Sequence, residues 1–518
     1  MPHDELGEYL LRFADSPAPA WSVMGITFTN KAAGEIRERI SSVFGEESDE
    51  AREIRTGTFH SICVRILRRY GDLIGYDRSF GICDTTDSKR ELTECMKHLN
   101  ISENQLQVKA AQNAISRAKD RLMSPEDYLR EAGTDIKLRQ IAEVYKLYAK
   151  RLKSQNLLDF DDIIMRCVEL LETQPEVRER LQHTYRYICV DEYQDTNYAQ
   201  LKLTLILSDY YRNIMVVGDD DQSIYKFRGA IIENILTFDK NYDNTLWTSG
   251  ERGEPIVIKN LGTQNDEARY ISDEITSRVR DGRAYFRDFA VLYRMNAQSR
   301  NIEQAFAKSG IPYRMLGGLR FFDRAEVKDI VSYLQVINNP LDGVRLARII
   351  NNPRRGIGDK SFSVAEALAY ETGYPLLEFM KKAKQYTAIS TSAANSMRDF
   401  SYLIDTLRED AALMPVSELI QRVIDLTGYG KMIDEIKDLH ERDERRSNLD
   451  ELISTAAQYE NTADEPSLLE FLEEVALVSD VDRYDEDADA VVLMTVPKGL
   501  SFPLYSCREW RRTSFRAI

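Results

Sequence analysis

Two adjacent carboxylates, Asp191 and Glu192, stand at the end of an apolar run in the stretch ICVDEYQDT, residues 188–196. An aspartate at the end of a β-strand can hold Mg²⁺, and a following glutamate can orient or deprotonate an attacking water. This is the chemistry of nucleotide hydrolysis. The same pair is also common in solvated surface turns, so the hydrolytic interpretation needs further groups nearby.

A second β-rich run, VVGDDDQSIYKFRGA at residues 216–230, supplies such groups in Asp219 to Asp221 and Gln222. Ligand sites in parallel sheets lie at the carboxyl ends of the strands. If the two runs are neighbouring strands of one sheet, their polar ends meet there. A carboxamide such as that of Gln222 can hydrogen-bond a terminal phosphate. The two runs together therefore favour a nucleotide site over a surface turn.

The elements that must position these groups follow a parallel α/β pattern. Short β-rich runs, each followed by a helical pattern, occur at residues 22–30, 185–191, 213–219 and 288–293. Residues 84–157 and about 345–485 have helical patterns instead, and in the first of these Ser124 followed by Pro125 is typical of a helix start. The sequence predicts an α/β fold of two parallel-sheet blocks, each interrupted by helices.

Composition narrows the class of protein. A length of 518 residues predicts about three to four domains. The six cysteines are scattered without CxxC spacing, which supports neither a disulfide framework nor a zinc site. No membrane span or signal peptide is evident, so we expect a cytoplasmic protein without a membrane partner. The net charge of −16 confines any nucleic-acid site to a local groove.

Several segments resemble, in order, the motifs of superfamily 1 DNA helicases of the UvrD/Rep/PcrA group. They are ITFTNKAAGEI (26–36), TGTFHSICVRIL (56–67), LLDFDDII (157–164), VDEYQDTNYAQ (190–200), VVGDDDQSIYKFRGA (216–230), VLYRMNAQSR (291–300), GIPYRMLGGLRFFDRAEVKDIVSYLQVINNPLD (310–342) and RIINNPRRGIG (348–358). The resemblance covers about residues 20 to 500. It implies a 3′-to-5′ DNA helicase that uses ATP and Mg²⁺ and acts on single-stranded DNA and on junctions of single- and double-stranded DNA. It does not choose between repair, replication restart and plasmid copying.

The resemblance also implies a domain plan of two RecA-like motor domains, each with a helical insert. The predicted first motor domain covers residues 1–83 and 158–250 around an insert at 84–157. The predicted second motor domain covers 251–344 and 488–500 around an insert at 345–487.

Roles at the nucleotide site follow from the resemblance, position by position. Asp191 would bind Mg²⁺, Glu192 would act on the hydrolytic water, and Gln222 would contact the γ-phosphate. Tyr293 resembles the aromatic residue that stacks on adenine. Arg294 resembles the arginine that reaches the same phosphate from the second motor domain, where it would neutralise developing charge.

Contacts to single-stranded DNA are expected from aromatic and small polar side chains. Phe28 and Phe227 match positions that stack on bases, although the family usually has tryptophan where this chain has Phe227. Phe59, by contrast, is predicted to be a core residue. Contacts to the DNA backbone are expected from Thr58, His60 and Arg228, and Asn30 is also expected to bind DNA.

The chain departs from the family at three places. No GxxxxGK[ST] phosphate loop occurs in the sequence, a strand and an asparagine-tyrosine-arginine-serine segment are missing near residue 244, and no arginine motif follows LMTVPKGLSFP at residues 493–503. We therefore expect a helicase sequence that begins downstream of its phosphate loop and lacks ATPase activity as it stands. Two other readings are an ATP-silent DNA-binding or regulatory protein and a helicase-nuclease subunit, although no nuclease acid cluster follows.

The tail SFPLYSCREWRRTSFRAI, residues 501–518, resembles no helix or strand of this fold. It could be a nucleic-acid-binding tail or a disordered extension. Read one nucleotide earlier, however, permitted codons for Arg508 to Arg512 give proline, glycine, methionine, glutamate and glutamate, which resembles the family's continuation. Trp510 has a single codon, which constrains this match. We predict that the tail is an out-of-frame reading, which the coding DNA can check.

Overall fold

The computed structural model describes most of the chain, in ten stretches. They are residues 18–45, 48–219, 222–223, 229–238, 259–282, 284–293, 299–316, 321–463, 466–477 and 489–495. The described residues divide into two compact units, the first from within residues 1–63, 166–316 and 479–518, and the second from within residues 64–165 and 317–478. The tail at residues 501–518, predicted to be out of frame, lies outside the described residues.

The strands of the described residues form three sheets. In chain order they are β1 (Val23–Thr27), β2 (Arg55–Thr58), β3 (Gly81–Cys83), β4 (Leu157–Asp159), β5 (Tyr187–Val190), β6 (Ile214–Val216), β7 (Ala290–Tyr293), β8 (Tyr313–Leu316) and β9 (Val491–Thr495). The sheet orders are β2-β1-β5-β6, β3-β4 and β7-β9-β8, and every pairing is parallel. The predicted α/β fold with parallel sheets is confirmed.

The helices occupy the segments between and beyond these strands. They are α1 (Asn30–Phe44), α2 (Asp49–Glu53), α3 (Phe59–Tyr70), α4 (Thr85–His98), α5 (Val108–Asp120), α6 (Pro125–Ala132), α7 (Ile136–Ser154), α8 (Phe160–Thr173), α9 (Pro175–Thr184), α10 (Tyr198–Ser208), α11 (Glu233–Phe238), α12 (Gln264–Arg280), α13 (Ser299–Ser309), α14 (Ala325–Asn338), α15 (Gly343–Ile349), α16 (Asp359–Thr372), α17 (Leu376–Lys382), α18 (Thr391–Ala411), α19 (Val416–Thr427), α20 (Tyr429–Asp434), α21 (Leu439–Thr462) and α22 (Leu468–Leu477). Within the described stretches, none of them has the length and apolar character needed to cross a membrane.

The four-stranded sheet of the first unit aligns the strand ends that the sequence singled out. Val190 at the end of β5 pairs with Ile26 of β1 on one side and with Val216 of β6 on the other. Thr27 of β1 pairs with Thr58 of β2. The condition set by the sequence, that β5 and β6 be neighbours, is therefore met.

A second parallel sheet, β7-β9-β8, belongs to the same unit. Its core includes Ile271 and Ile275 from α12, Phe306 from α13 and Leu493 from β9. The central strand of this sheet is β9, in the apolar run VVLMT. Apolar β-rich residues at the start of this run are buried, as expected for a strand that has neighbours on both sides.

The second unit is mainly helical. Helices α4 to α7 pack around Leu92, Ile115 and Tyr145. Ser124 and Asp127 form a reciprocal capping box at the start of α6, with Pro125 at its first position, which confirms the predicted helix start.

Helices α14 to α22 share one core, which includes Leu334, Phe400 and Leu452. Helical structure here begins at Ala325, well before the predicted insert boundary at residue 345.

Ion pairs tie the two helical regions together inside the second unit. The Lys328 ammonium on α14 lies 2.6 Å from an Asp84 carboxylate oxygen at the start of α4. The Arg345 guanidinium on α15 lies 3.2 Å from Asp87 Oδ2 and 2.6 Å from Asp342 Oδ2. The Arg345 side chain is almost fully buried, so these contacts are shielded from solvent.

Candidate nucleotide and nucleic-acid site

The turn at residues 191–197 is held between two strand ends by backbone hydrogen bonds. The Asp191 N–H donates to the Ile26 carbonyl at 2.9 Å, at the end of β1. The Tyr193 N–H donates to the Val217 carbonyl at 2.9 Å, just beyond β6. The adjacent carboxylates Asp191 and Glu192 are thus fixed at the carboxyl edge of the sheet, where the sequence placed them.

Glu192 has a left-handed backbone with φ 52°, which is uncommon for a residue other than glycine. Its N–H donates to Asp191 Oδ1 at 3.0 Å, and its carbonyl accepts from the Asp195 N–H at 3.0 Å. Such a conformation costs about 1–3 kcal/mol and persists where the surroundings over-determine it. Here it turns the Glu192 side chain back toward the residues that follow.

Gln194 connects Glu192 to the segment after β6. Its Nε2 donates to Glu192 Oε2 at 2.6 Å, and its Oε1 accepts from the Asp219 N–H at 3.0 Å. The Gln222 side chain in turn donates to Asp219 Oδ2 at 2.7 Å. The predicted convergence of Glu192 and Gln222 is therefore observed as one hydrogen-bonded chain of four residues.

Gln194 is the site residue that sequence reasoning missed. It was visible in the stretch ICVDEYQDT, but nothing in the pattern sets it apart from other polar turn residues. Only the left-handed backbone at Glu192 brings the side chain two positions later against the Glu192 carboxylate. Gln194 is 1% exposed, so both ends of its amide are used inside the protein.

Burial governs the protonation of both carboxylates. It raises the pKa of Asp191, against the opposing effects of the hydrogen bond from the Glu192 N–H and of Arg39. Burial also raises the pKa of Glu192, where the Gln194 hydrogen bond opposes it and the neighbouring Asp191 and Asp219 reinforce it. A cation placed beside these acids would favour their ionised forms.

The donor set fits Mg²⁺ carried by a nucleotide. The described residues contain no cluster of three or more histidine, cysteine, aspartate or glutamate side chains that could hold a metal ion by themselves. Mg²⁺ is commonly bound by one or two carboxylates together with water and substrate phosphates. Asp191 can supply such a carboxylate, whereas the sequence contains no glycine-rich loop to hold the phosphates.

The residues predicted to contact DNA begin where β1 ends. Phe28 follows the strand and is half-buried, with its ring meeting the Phe59 ring edge-on at a centroid distance of 5.5 Å. Phe59 is 1% exposed, as predicted for a core residue. Phe28 therefore rests on a buried aromatic support and keeps part of its surface open, which suits a base-stacking residue.

Two helices begin side by side at this edge. Thr29 Oγ1 accepts from the Ala32 N–H at 3.1 Å at the start of α1, and Thr58 Oγ1 accepts from the Ser61 N–H at 3.1 Å at the start of α3. The N-termini of helices attract phosphate groups through their open N–H donors and the helix dipole. The predicted contacts to the DNA backbone would lie at these two helix starts.

The remaining DNA-binding predictions fall on or near these helix starts. Asn30 and His60 occupy the first turns of α1 and α3 and are half-buried. Thr58 is 6% exposed and its hydroxyl caps α3, so the local structure accounts for threonine here without DNA. The DNA contacts of these three residues stay predictions.

Other predicted site residues lie elsewhere. Tyr293 ends β7, is 6% exposed and packs in the core of the second sheet, where burial raises its pKa. Its role in stacking on adenine stays a prediction. Outside the described residues lie Asp220, Asp221, Phe227, Arg228 and Arg294.

Comparison with known proteins is consistent with this geometry. The profile of the UvrD/REP helicase N-terminal domain matches residues 9–243, and that of the UvrD-like helicase C-terminal domain matches residues 222–507. The ATP-dependent DNA helicase PcrA of Staphylococcus aureus (strain Mu50) is 39% identical over 521 residues, covering 93% of this chain and 70% of that protein. PcrA of Staphylococcus epidermidis (strain RP62A) is 38% identical over the same shares of the two chains.

Proposed function

The chain belongs to the UvrD/Rep/PcrA family of ATP-dependent DNA helicases, and from this premise we propose that it is built to move 3′ to 5′ along single-stranded DNA. Its substrates would be single strands and junctions between single- and double-stranded DNA. The observation that carries the proposal is the hydrogen-bonded chain from Glu192 through Gln194 and Asp219 to Gln222.

We assign the hydrolytic half of a nucleotide site to these residues. Bound Mg²⁺·ATP would supply the phosphoryl group that is transferred and the cation that offsets its charge. Asp191 would hold the cation, Glu192 would accept a proton from the attacking water, and Gln222 would donate a hydrogen bond to the terminal phosphate. We assign Tyr293 to the adenine and Arg294 to the same phosphate, in keeping with the family.

We further propose that these 518 residues do not hydrolyse ATP at the rate of a helicase. The phosphate loop and its lysine hold the β- and γ-phosphates and neutralise charge during transfer, and the sequence contains neither. An ATP-silent protein that binds single-stranded DNA is the second candidate function, and the lack of a phosphate loop in the sequence favours it. Both candidates share the DNA-binding face at the ends of β1 and β2.

Single-stranded DNA binding can be measured by fluorescence anisotropy with a labelled oligo(dT). We expect binding that weakens as salt rises, because contacts to the DNA backbone release counterions. Phe28→Ala should lower affinity by about 5- to 150-fold, corresponding to roughly 1–3 kcal/mol for one stacked base, with the salt dependence unchanged.

Phe44→Ala is the matched control, since Phe44 is an exposed phenylalanine at the far end of α1. It should leave affinity for oligo(dT) unchanged. Equal affinity of the wild type and a folded Phe28→Ala variant would remove Phe28 from the DNA site. Failure of the folded wild-type chain to bind oligo(dT) would contradict the proposed function itself.

A further inference from the structure

Gln194 joins Glu192, the candidate catalytic glutamate, to Asp219. Asp219 precedes Phe227, the predicted DNA-stacking residue, in the sequence. The Gln194 amide has one partner on each side, Glu192 Oε2 at 2.6 Å and the Asp219 N–H at 3.0 Å. The fit is tight, because a Cβ at position 218 would collide with Gln194 Oε1 and lie 2.8 Å from Ile235 Cδ1. Glycine at position 218 therefore allows this close approach.

The turn at residues 191–197 is also hydrogen-bonded to residues 231 and 234, which follow Phe227 in the sequence. Asn234 Nδ2 donates to the Thr196 carbonyl and to Thr196 Oγ1, both at 3.0 Å, and the Ile231 N–H donates to the Thr196 carbonyl at 3.0 Å. Thr196 is fully buried and Asn234 is 7% exposed. Residues 191–197 are thus bonded to the chain on both sides of the stretch that contains Phe227.

From this arrangement we infer that Gln194 is a positioning residue that sets the orientation of the Glu192 carboxylate according to the position of the Asp219 backbone. Movement of Asp219 pulls on Gln194 Oε1, and the rigid planar amide passes that movement to Glu192 through Nε2. DNA binding that moves Asp219 would thereby change how Glu192 is held. The inference rests on the proposed function for its DNA-dependent part only.

Two variants test the two hydrogen bonds of the Gln194 amide separately. Gln194→Met has a similar size and loses both hydrogen bonds. Gln194→Glu keeps an oxygen that can accept from the Asp219 N–H but loses the donor to Glu192. Gln182→Met is the control, because Gln182 is another buried glutamine of the same unit, with Nε2 donating to the Ile206 carbonyl. Melting temperatures identify any variant that fails to fold.

Two readouts need neither DNA nor nucleotide. Carboxyl footprinting with a carbodiimide and glycine ethyl ester reports the accessibility of Glu192, and hydrogen exchange reports the protection of the Asp219 N–H. Gln194→Met should raise both Glu192 labelling and Asp219 exchange by about tenfold, the loss expected for one buried hydrogen bond. Gln194→Glu should raise labelling alone, and Gln182→Met should change neither.

The DNA-dependent part uses the same footprint with saturating oligo(dT). Glu192 labelling should change at least about twofold in the wild type and not in Gln194→Met. Unchanged labelling and exchange in Gln194→Met, or an equal response to DNA in both proteins, would overturn the inference. If the wild type binds no oligo(dT), the proposed function fails, whereas the DNA-free readouts still decide whether Gln194 positions Glu192.

Discussion

Replacing Lys119 by methionine should strongly destabilise the helical part of the second unit. The Lys119 ammonium is fully buried on α5, 2.6 Å from Asp159 Oδ2 and 2.9 Å from Asp162 Oδ2, and the Tyr148 hydroxyl donates to Asp159 at 2.9 Å. Lys119→Met leaves two buried carboxylates without their cation. Removing one partner of a buried ion pair costs about 3–5 kcal/mol, so amides in α7 around Tyr145 should exchange about 150- to 5000-fold faster.

The pH dependence of the stability lost in Lys119→Met gives a second check. Burial alone would raise the pKa of Asp159, but Lys119 overcomes it and holds that pKa below the ordinary value. The stability contributed by Asp159 is therefore present above its ordinary pKa and is lost as the pH falls through the lowered one. In Lys119→Met the hydrogen bonds from the Asp162 N–H and the Tyr148 hydroxyl still oppose burial, but the attraction of the lysine is gone, so Asp159 takes up a proton more readily. The difference in exchange between variant and wild type should be large at about pH 7.5 and smaller at about pH 4.5.

Lys109→Met is the matched control, because Lys109 is an exposed lysine on the same helix. Exposed substitutions of this kind usually change stability by less than about 0.5 kcal/mol. The reasoning is refuted if Lys119→Met accelerates exchange no more than Lys109→Met does, or if its effect grows as the pH falls.

Two further predictions concern other parts of the chain. Burial raises the pKa of Glu366 to about 7, with Arg151 opposing and Glu91 reinforcing the shift, so the stability of the second unit should fall as the pH rises from about 4.5 to 7. Glu366→Gln should remove that fall and be more stable than the wild type at about pH 8 by roughly 1–3 kcal/mol, measured by urea unfolding at several pH values. Thr29→Ala removes the hydroxyl that caps α1 and should cost about 1 kcal/mol, seen as roughly fivefold faster amide exchange in the first turns of α1, whereas unchanged exchange would show that this cap contributes little.

Much of the first sheet could be predicted from the sequence because three of its four strands, β1, β5 and β6, lie in short β-rich runs that end in polar residues. β5 is a short apolar run that is followed directly by Asp191 and Glu192. β6 is a similar run, and Asp219 follows it after two residues. A parallel sheet brings such ends to one edge, so adjacency of β5 and β6 was sufficient to predict that Glu192 and Gln222 converge. The start of α6 at Ser124 was equally local, since a capping box involves only four residues.

Features that depend on tertiary packing could not be predicted in this way. Gln194 reaches Glu192 only because the surroundings hold Glu192 in a left-handed conformation, which the sequence does not show. Lys119 resembles any other lysine on α5 until Asp159 and Asp162 pack against it. The sequence analysis placed α14 in a motif of the second motor domain, and only the packing shows that its apolar residues share a core with the helices that follow.

The hydrolysis of ATP by the 518-residue chain is the most direct test of how much of a helicase this sequence encodes. Turnover should be measured with and without oligo(dT), with Glu192→Gln as the blank, after anisotropy has shown that both proteins bind the DNA. We expect the wild-type rate to equal that of Glu192→Gln under both conditions, since the carboxylates are present and the phosphate loop is not. DNA-stimulated turnover of about 1 s⁻¹ or more that Glu192→Gln abolishes would contradict this, because the chain would then hold and hydrolyse ATP without that loop.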